Sequence, residues 1–279
     1  MVAITSASDI AGQVSDSALN ADKLTVASIC LPSGSVKRIR SLIPTGLPKW
    51  RNSDDDRVAA VTDLILKEAW SIAAGSLDKR DARWSAFWRD SREIHARTAP
   101  LAGGPIAFLK AATLIKMLLL GQASTLAMGH SVKVGTLPRI TDRKGRLNIS
   151  ESVIFDNEIQ GEENREALAG AWRSMNEHQP KMNSLGIFHK ATTLTLTSEE
   201  SEPLLLLADY AAGIVHAMNS SANTISQSAV SREATIRAHE RLRASKKFYE
   251  FDVHFPDSYF EIFPGFEKYA RVKLKSDNA

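Results

Sequence analysis

Apolar residues along this chain follow two spacings, strict alternation and helical repetition, and each predicts elements. Residues 2–7 read as a short strand. Gly12 and the Ser-, Asp- and Asn-rich residues up to Asp22 then make a turn. Leu24, Val26, Ile29 and Leu31 form a second β-like run that ends at Pro32-Ser33-Gly34. Residues 1–31 therefore predict a hairpin with a long connection. Leu147, Ile149, Val153 and Phe155 fall on alternate positions, a third strand. Thr193-Leu194-Thr195-Leu196-Thr197 alternates without a break and is the clearest strand signal in the chain.

Helical segments lie between and after these strands. Asp54-Asp55-Asp56 precedes Val58-Ala59-Ala60-Val61, and carboxylates favour the positive end of a helix dipole. This predicts a helix from Asp56 to Ala74 that stops at Gly75. The acidic run is read as a cap in preference to a metal cluster. Pro105 opens the most apolar helix, 105–120, and a polar helix is expected from Glu162 to Met175. Leu204 to Met218 is a second very apolar segment, and 228–247 reads as a basic helix. Trp84, Phe87 and Trp88, in the charged stretch 78–97, share one helical face and suit core packing, or stacking on bases. The aromatic tail, Phe248 to Phe266, is expected to pack back on the body. The order of elements predicts one α/β domain over residues 1–279, with a mixed β-sheet flanked by helices. It carries a helical insertion at about 75–125 and a C-terminal helical and aromatic extension, 228–279.

Composition narrows the classes. Of 279 residues, 43% are apolar and 24% charged, which excludes a disordered chain, a collagen and a coiled-coil rod. A net charge of +3 permits nucleic acid as a partner without demanding it. The single cysteine, Cys30, excludes an intramolecular disulfide and a Cys-rich zinc site and reads as a small buried hydrophobe. Met1-Val2-Ala3-Ile4 has no basic region followed by an apolar run, so no secretory signal is expected. Lys110 and Lys116 interrupt the longest apolar stretch and would be costly in lipid. The expectation is a cytoplasmic protein with no membrane partner.

Candidate chemistry centres on carboxylates in unlikely company. Asp209 lies within Leu204-Leu205-Leu206-Leu207-Ala208-Asp209-Tyr210-Ala211-Ala212-Gly213. An ion there must be paired, neutralised or bound to a cation; a helix cap is the plainer alternative. Asp156 ends the strand Val153-Ile154-Phe155, and strand ends in α/β sheets suit a ligand or metal. Asp9 ends the first strand, before Ile10-Ala11-Gly12. Carboxylates from two strand ends and a late helix suit two hard cations, Mg²⁺ or Mn²⁺, that clamp the oxygens of a transferring phosphoryl group. His216, seven positions after Asp209, shares its helical face and reads as a general base or as a core histidine. No Walker loop, G-x-G-x-x-G, H-E-x-x-H or G-x-S-x-G pattern occurs.

The segment Ser198 to Gly213 resembles the late signature of the domain-of-unknown-function 3800 family, a short polar turn leading into "L-Q-L-A-D-x-x-A-G". Asp9-Ile10-Ala11-Gly12 resembles that family's opening "D-E-S-G", and Val153-Ile154-Phe155-Asp156 its middle strand-then-Asp element. The resemblance implies a ribonuclease H-like fold and metal-dependent cleavage or transfer of nucleic-acid phosphodiesters. Asp9, Asp156 and Asp209 would be its metal carboxylates. Glu93, in Arg92-Glu93-Ile94-His95, would be a replacement carboxylate, similar to an E-x-H element of some members. Ile10 stands where the family has Glu, Ala11 where it has Ser, and Leu206 where it has Gln. The resemblance thus implies a Mg²⁺- or Mn²⁺-dependent nuclease. The alternative is a catalytically degenerate module on the same fold that binds nucleic acid or protein.

Overall fold

A computed structural model of the chain describes residues 2–8, 23–78, 81–83, 111–137, 147–156, 162, 165–166, 187–219 and 229–253. The elements are β1 (Val2–Ser8), β2 (Lys23–Leu31), α1 (Val36–Leu42), α2 (Asp55–Glu68), β3 (Ser71–Asp78), α3 (Ala111–Lys133), β4 (Leu147–Asp156), β5 (Ile187–Thr197), α4 (Leu205–Asn219), α5 (Arg232–Ala244) and β6 (Phe248–Asp252). The chain divides into two compact units. One comprises Met1–Leu77, Leu119–Glu158 and Pro180–Val253; the other comprises Asp78–Leu118, Ile159–Gln179 and His254–Ala279. The first carries the sheet. In the second, the Asp81 carboxylate accepts from the backbone N–H of Arg83 at 2.8 Å and closes a local turn.

Six strands form one sheet in the order β5-β4-β1-β2-β3-β6. β1 runs antiparallel to β2, with Val2 opposite Leu31 and Ser8 opposite Thr25. It runs parallel to β4, with Thr5 opposite Phe155. β4 is parallel to β5, with Asp156 opposite Thr197, and β3 is parallel to β6. The fold is therefore mixed α/β, as the order of elements predicts, and β1 and β2 are the expected long-connected hairpin.

Helices cover both faces. Ala27, Ile29 and Leu31 of β2 alternate onto one face, with Ile72 and Ala74 of β3. They form a single core with Ile39 of α1, Val58, Val61 and Ile65 of α2, Leu207 and Ile214 of α4, and Leu242 of α5. On the opposite face Ser71 Oγ donates to the Ala127 carbonyl of α3 at 2.5 Å. α4 is buried all round from Leu205 to His216, which is why its sequence shows no polar stripe.

Two boundaries differ from the sequence reading. The helix expected over 56–74 ends at Glu68, and Ser71–Asp78 is strand. Trp70 N–H donates to the Cys30 carbonyl at 2.9 Å and draws the chain onto β2. Because residues 71–75 are all buried, β3 shows no alternation, and its alanines read as helix. The helix expected over 105–120 continues past Gly121 to Lys133, because burial of Ala123, Ala127 and Met128 outweighs the glycine's cost of about 1 kcal/mol. The acidic run is the expected cap: Asp54 accepts from the backbone N–H of Arg57 at 2.9 Å. Cys30 is fully buried. Phe248–Asp252, the start of the aromatic tail, is strand β6. The aromatic stretch 84–97, most of the polar helix 162–175 and the tail from 254 lie outside the described residues.

Candidate functional site

The C-terminal ends of β1, β4 and β5 share one edge of the sheet, because the three strands are parallel. Asp156 is the last residue of β4 and shares the strand face of Ile154, which packs on the core containing α4. The chain leaves β5 at Thr197, opposite Asp156, and turns through Ser198–Pro203 into α4. Glu199 lies in that turn. The turn closes on backbone hydrogen bonds to the Ser198 carbonyl from Ser201 (3.1 Å) and Glu202 (2.9 Å). Glu202 is clamped by Arg40 of α1 in a two-pronged pair, Nε to Oε1 at 3.0 Å and Nη2 to Oε2 at 2.6 Å.

Asp209 follows on α4, 7% exposed, and Asp156 is 8% exposed, so both are carboxylates withdrawn from water. Asp209 Oδ2 accepts from the backbone N–H of Trp50 at 2.7 Å. The short turn Trp50–Asn52 is thereby pinned to α4. The Trp50 ring lies against Gly213, where a Cβ would overlap it, and meets the Tyr210 ring edge-on at 6.1 Å. Tyr210 Oη donates to Ser53 Oγ at 2.7 Å, and burial pushes its pKa up, so the phenol keeps its proton. Asp209 thus does not cap its own helix; it holds the 50–53 turn.

That turn delivers Lys49. Its ammonium pairs with Glu199 and lies 4.0 Å from Asp156 Oδ2. Burial alone would push its pKa down; the hydrogen bond to Glu199 and the charges of Asp156, Glu199 and Asp209 outweigh burial and raise it. Lys49 is therefore a positive charge paired with Glu199 and set beside Asp156.

His216 lies two turns beyond Asp209, 6% exposed. Its Nδ1 is 3.2 Å from Thr25 Oγ1 on β2, opposite the end of β1. Thr25 Oγ1 lies 2.8 Å from Ser76 Oγ, which accepts from Asn219 Nδ2 at 3.2 Å. His216 is held by this polar chain, as buried polar groups generally are.

Of the sequence candidates, Asp156 lies beside Lys49, Asp209 binds the N–H of the next residue, Trp50, and His216 sits further along α4. Asp9 and Glu93 lie outside the described residues. Lys49, Glu199 and the Trp50 amide were not legible as a site. Glu199 falls within the turn of the late motif, but Pro48-Lys49-Trp50 carries no local signal. Among the described residues no group of three or more His, Cys, Asp or Glu side chains is arranged to hold a metal ion, and no helix is long and apolar enough to cross a membrane. Comparisons with protein-family models, with curated proteins and with solved structures give no match.

Proposed function

We propose that this chain is a ribonuclease H-like, metal-dependent nuclease or a related phosphodiester-processing protein. The observation that carries the reading is a pair of carboxylates withdrawn from water, Asp156 at the end of a parallel strand and Asp209 on the helix that follows β5, the first 4.0 Å from the Lys49 ammonium and the second bound to the N–H of the next residue, Trp50. The strand arrangement supports it: β1 is central, with antiparallel β2 on one side and parallel β4 and β5 on the other. Ligand sites in α/β sheets open at the carboxyl ends of parallel strands. The resemblance to the domain-of-unknown-function 3800 family points the same way.

Carboxylate oxygens are the donors a hard divalent ion takes, and Asp156 and Asp209 are both withdrawn from water. Asp156 and Asp209 would hold the ion, with Asp9 as the third ligand that the resemblance implies. Bound there, Mg²⁺ or Mn²⁺ supplies an activated water and offsets charge on the phosphate oxygens. The chain's own contribution is rigidity. The Trp50 N–H fixes the Asp209 carboxylate, and β4 fixes Asp156. His216 is held by Thr25 two turns further along the same helix.

A second reading, a non-catalytic nucleic-acid- or protein-binding module, is favoured by one observation. Lys49 and the Trp50 N–H already give Asp156 and Asp209 partners within the chain. Titration of Mn²⁺ into wild type and Asp209→Asn by calorimetry separates the two. Asparagine still accepts from the Trp50 N–H, so the variant should fold within about 1 kcal/mol of wild type. Under the nuclease reading it loses Mn²⁺ binding and cleavage of single- and double-stranded RNA and DNA. Unchanged binding in the variant, or none in either protein, favours the module.

A further inference from the structure

We propose that His239 and Glu250 form an acid-operated contact between α5 and β6, and that a polar chain running through Asn219, Ser76 and Thr25 passes its state to His216. The inference stands apart from the metal reading above.

His239 is buried in α5, its side chain 7% exposed and its ring edge-on to Phe248 at 6.2 Å. Its Nε2 makes no hydrogen bond and stands 3.5 Å from Glu250 Oε2. A buried polar atom left without a partner is costly, so the slack contact is unstable toward anything that tightens it. A proton does so. The imidazolium carries hydrogen on both ring nitrogens, whichever held it before, so Nε2–H then donates to the carboxylate. Burial holds the His239 pKa below the ordinary histidine value, against the pull of Glu250. The contact is therefore open at neutral pH and closes in mild acid. The other charges bearing on the ring are Arg243 and Glu240 of α5 itself. From α2, Asp55 is bound to Ser231 and Asp63 to Arg241.

The remaining links lie within hydrogen-bond reach. Asn219 Nδ2, at the end of α4, donates to Glu250 Oε1 at 3.4 Å and to Ser76 Oγ of β3 at 3.2 Å. Ser76 Oγ is 2.8 Å from Thr25 Oγ1 of β2, which is 3.2 Å from His216 Nδ1. Asn219 thus divides one amide between two acceptors. When Glu250 turns to the His239 imidazolium, its hold on Asn219 slackens and the amide commits to Ser76. The two hydroxyls each donate and accept, so a change at one reorients the other. The ring of His216, seven positions after Asp209, receives it.

The test is NMR of the full chain with ¹³C-labelled histidine rings, assigned by single His→Gln variants and titrated from about pH 8 to about pH 5. In wild type His239 should titrate below a free histidine, and the His216 resonances should bend at the His239 midpoint. His239→Gln should abolish that bend. Glu250→Gln, which removes the attracting charge, should lower the His239 midpoint further. Ser76→Ala should leave the His239 titration in place and remove the bend at His216; a packing role for Ser76 alone would not do this. Asn219→Ala cuts the same chain and decides the matter if Ser76→Ala does not fold. A His239 midpoint unmoved by Glu250→Gln overturns the contact. No bend at His216 in wild type, or one that survives both cuts, overturns the relay. A His239 ring that stays neutral throughout overturns both.

Discussion

Gly213 illustrates how a single residue sets the site. It lies in the middle of α4, where glycine costs about 1 kcal/mol relative to alanine. That cost is offset by the Trp50 indole, which occupies the space a Cβ would take. Gly213→Ala should therefore destabilise, despite alanine's better helix propensity, by about 1–3 kcal/mol through overpacking. It should also loosen the turn that positions Lys49. Urea unfolding checks this; a variant as stable as wild type would mean that Trp50 is not seated there. Asp209 adds a complementary case. Its burial was legible from its leucine-rich surroundings, but its partner, a backbone amide 159 residues earlier, was not.

At the scale of elements, helix starts are tied across the chain rather than only within themselves. Asp55, in the first turn of α2, accepts from Ser231 Oγ and Ser231 N–H, both at 2.7 Å. Ser231 in turn caps α5 through the N–H of Ala234. The hydroxyl and amide of Ser231 hold the Asp55 carboxyl below the usual carboxylate range. A folded-state pKa below the unfolded value of about 3.9 gives stability that is present above that pH and lost as pH falls through the folded value. Asp55→Asn should thus be less stable than wild type at pH 7, and the gap should close as the pH drops below about 4. Chemical denaturation at pH 7 and at pH 3 checks this; a gap independent of pH would show that the carboxylate charge plays no part. The acidic run and its capping role are legible in the sequence; the docking of α5 is not, because sequence spacing says nothing about which helices meet.

Across the whole molecule, the basic helix is less available than its composition suggests. Arg241 pairs with Asp63 of α2, Arg243 lies 4.0 Å from Glu250 of β6, and Lys247 Nζ donates to the Leu66 carbonyl at 2.8 Å. The first two are exposed pairs of small net worth, so they can be exchanged for phosphates at little cost. If the basic helix α5 contacts nucleic-acid phosphates, Arg237→Ala should weaken binding evenly across sequences. It should also reduce the slope of log affinity against log salt by about one unit. Affinity and slope both unchanged would move the nucleic-acid surface away from α5.

Much of the element content and two buried carboxylates, Asp156 and Asp209, could be read from the chain alone. Alternation marked β2, β4 and β5, apolar density marked α4, and the energetic cost of an ion among leucines singled out Asp209. These are local properties, set by chemistry within a few residues. Strand β3 escaped because burial on both faces erases alternation, and α3 ran longer than expected because core packing outweighed a glycine. The sheet order, the placement of Asp156 beside Lys49 and Glu199, and the pinning of Trp50 to Asp209 were decided only by tertiary structure. Each depends on contacts between segments far apart in sequence, and no local pattern encodes where a distant cation or backbone amide will come to rest.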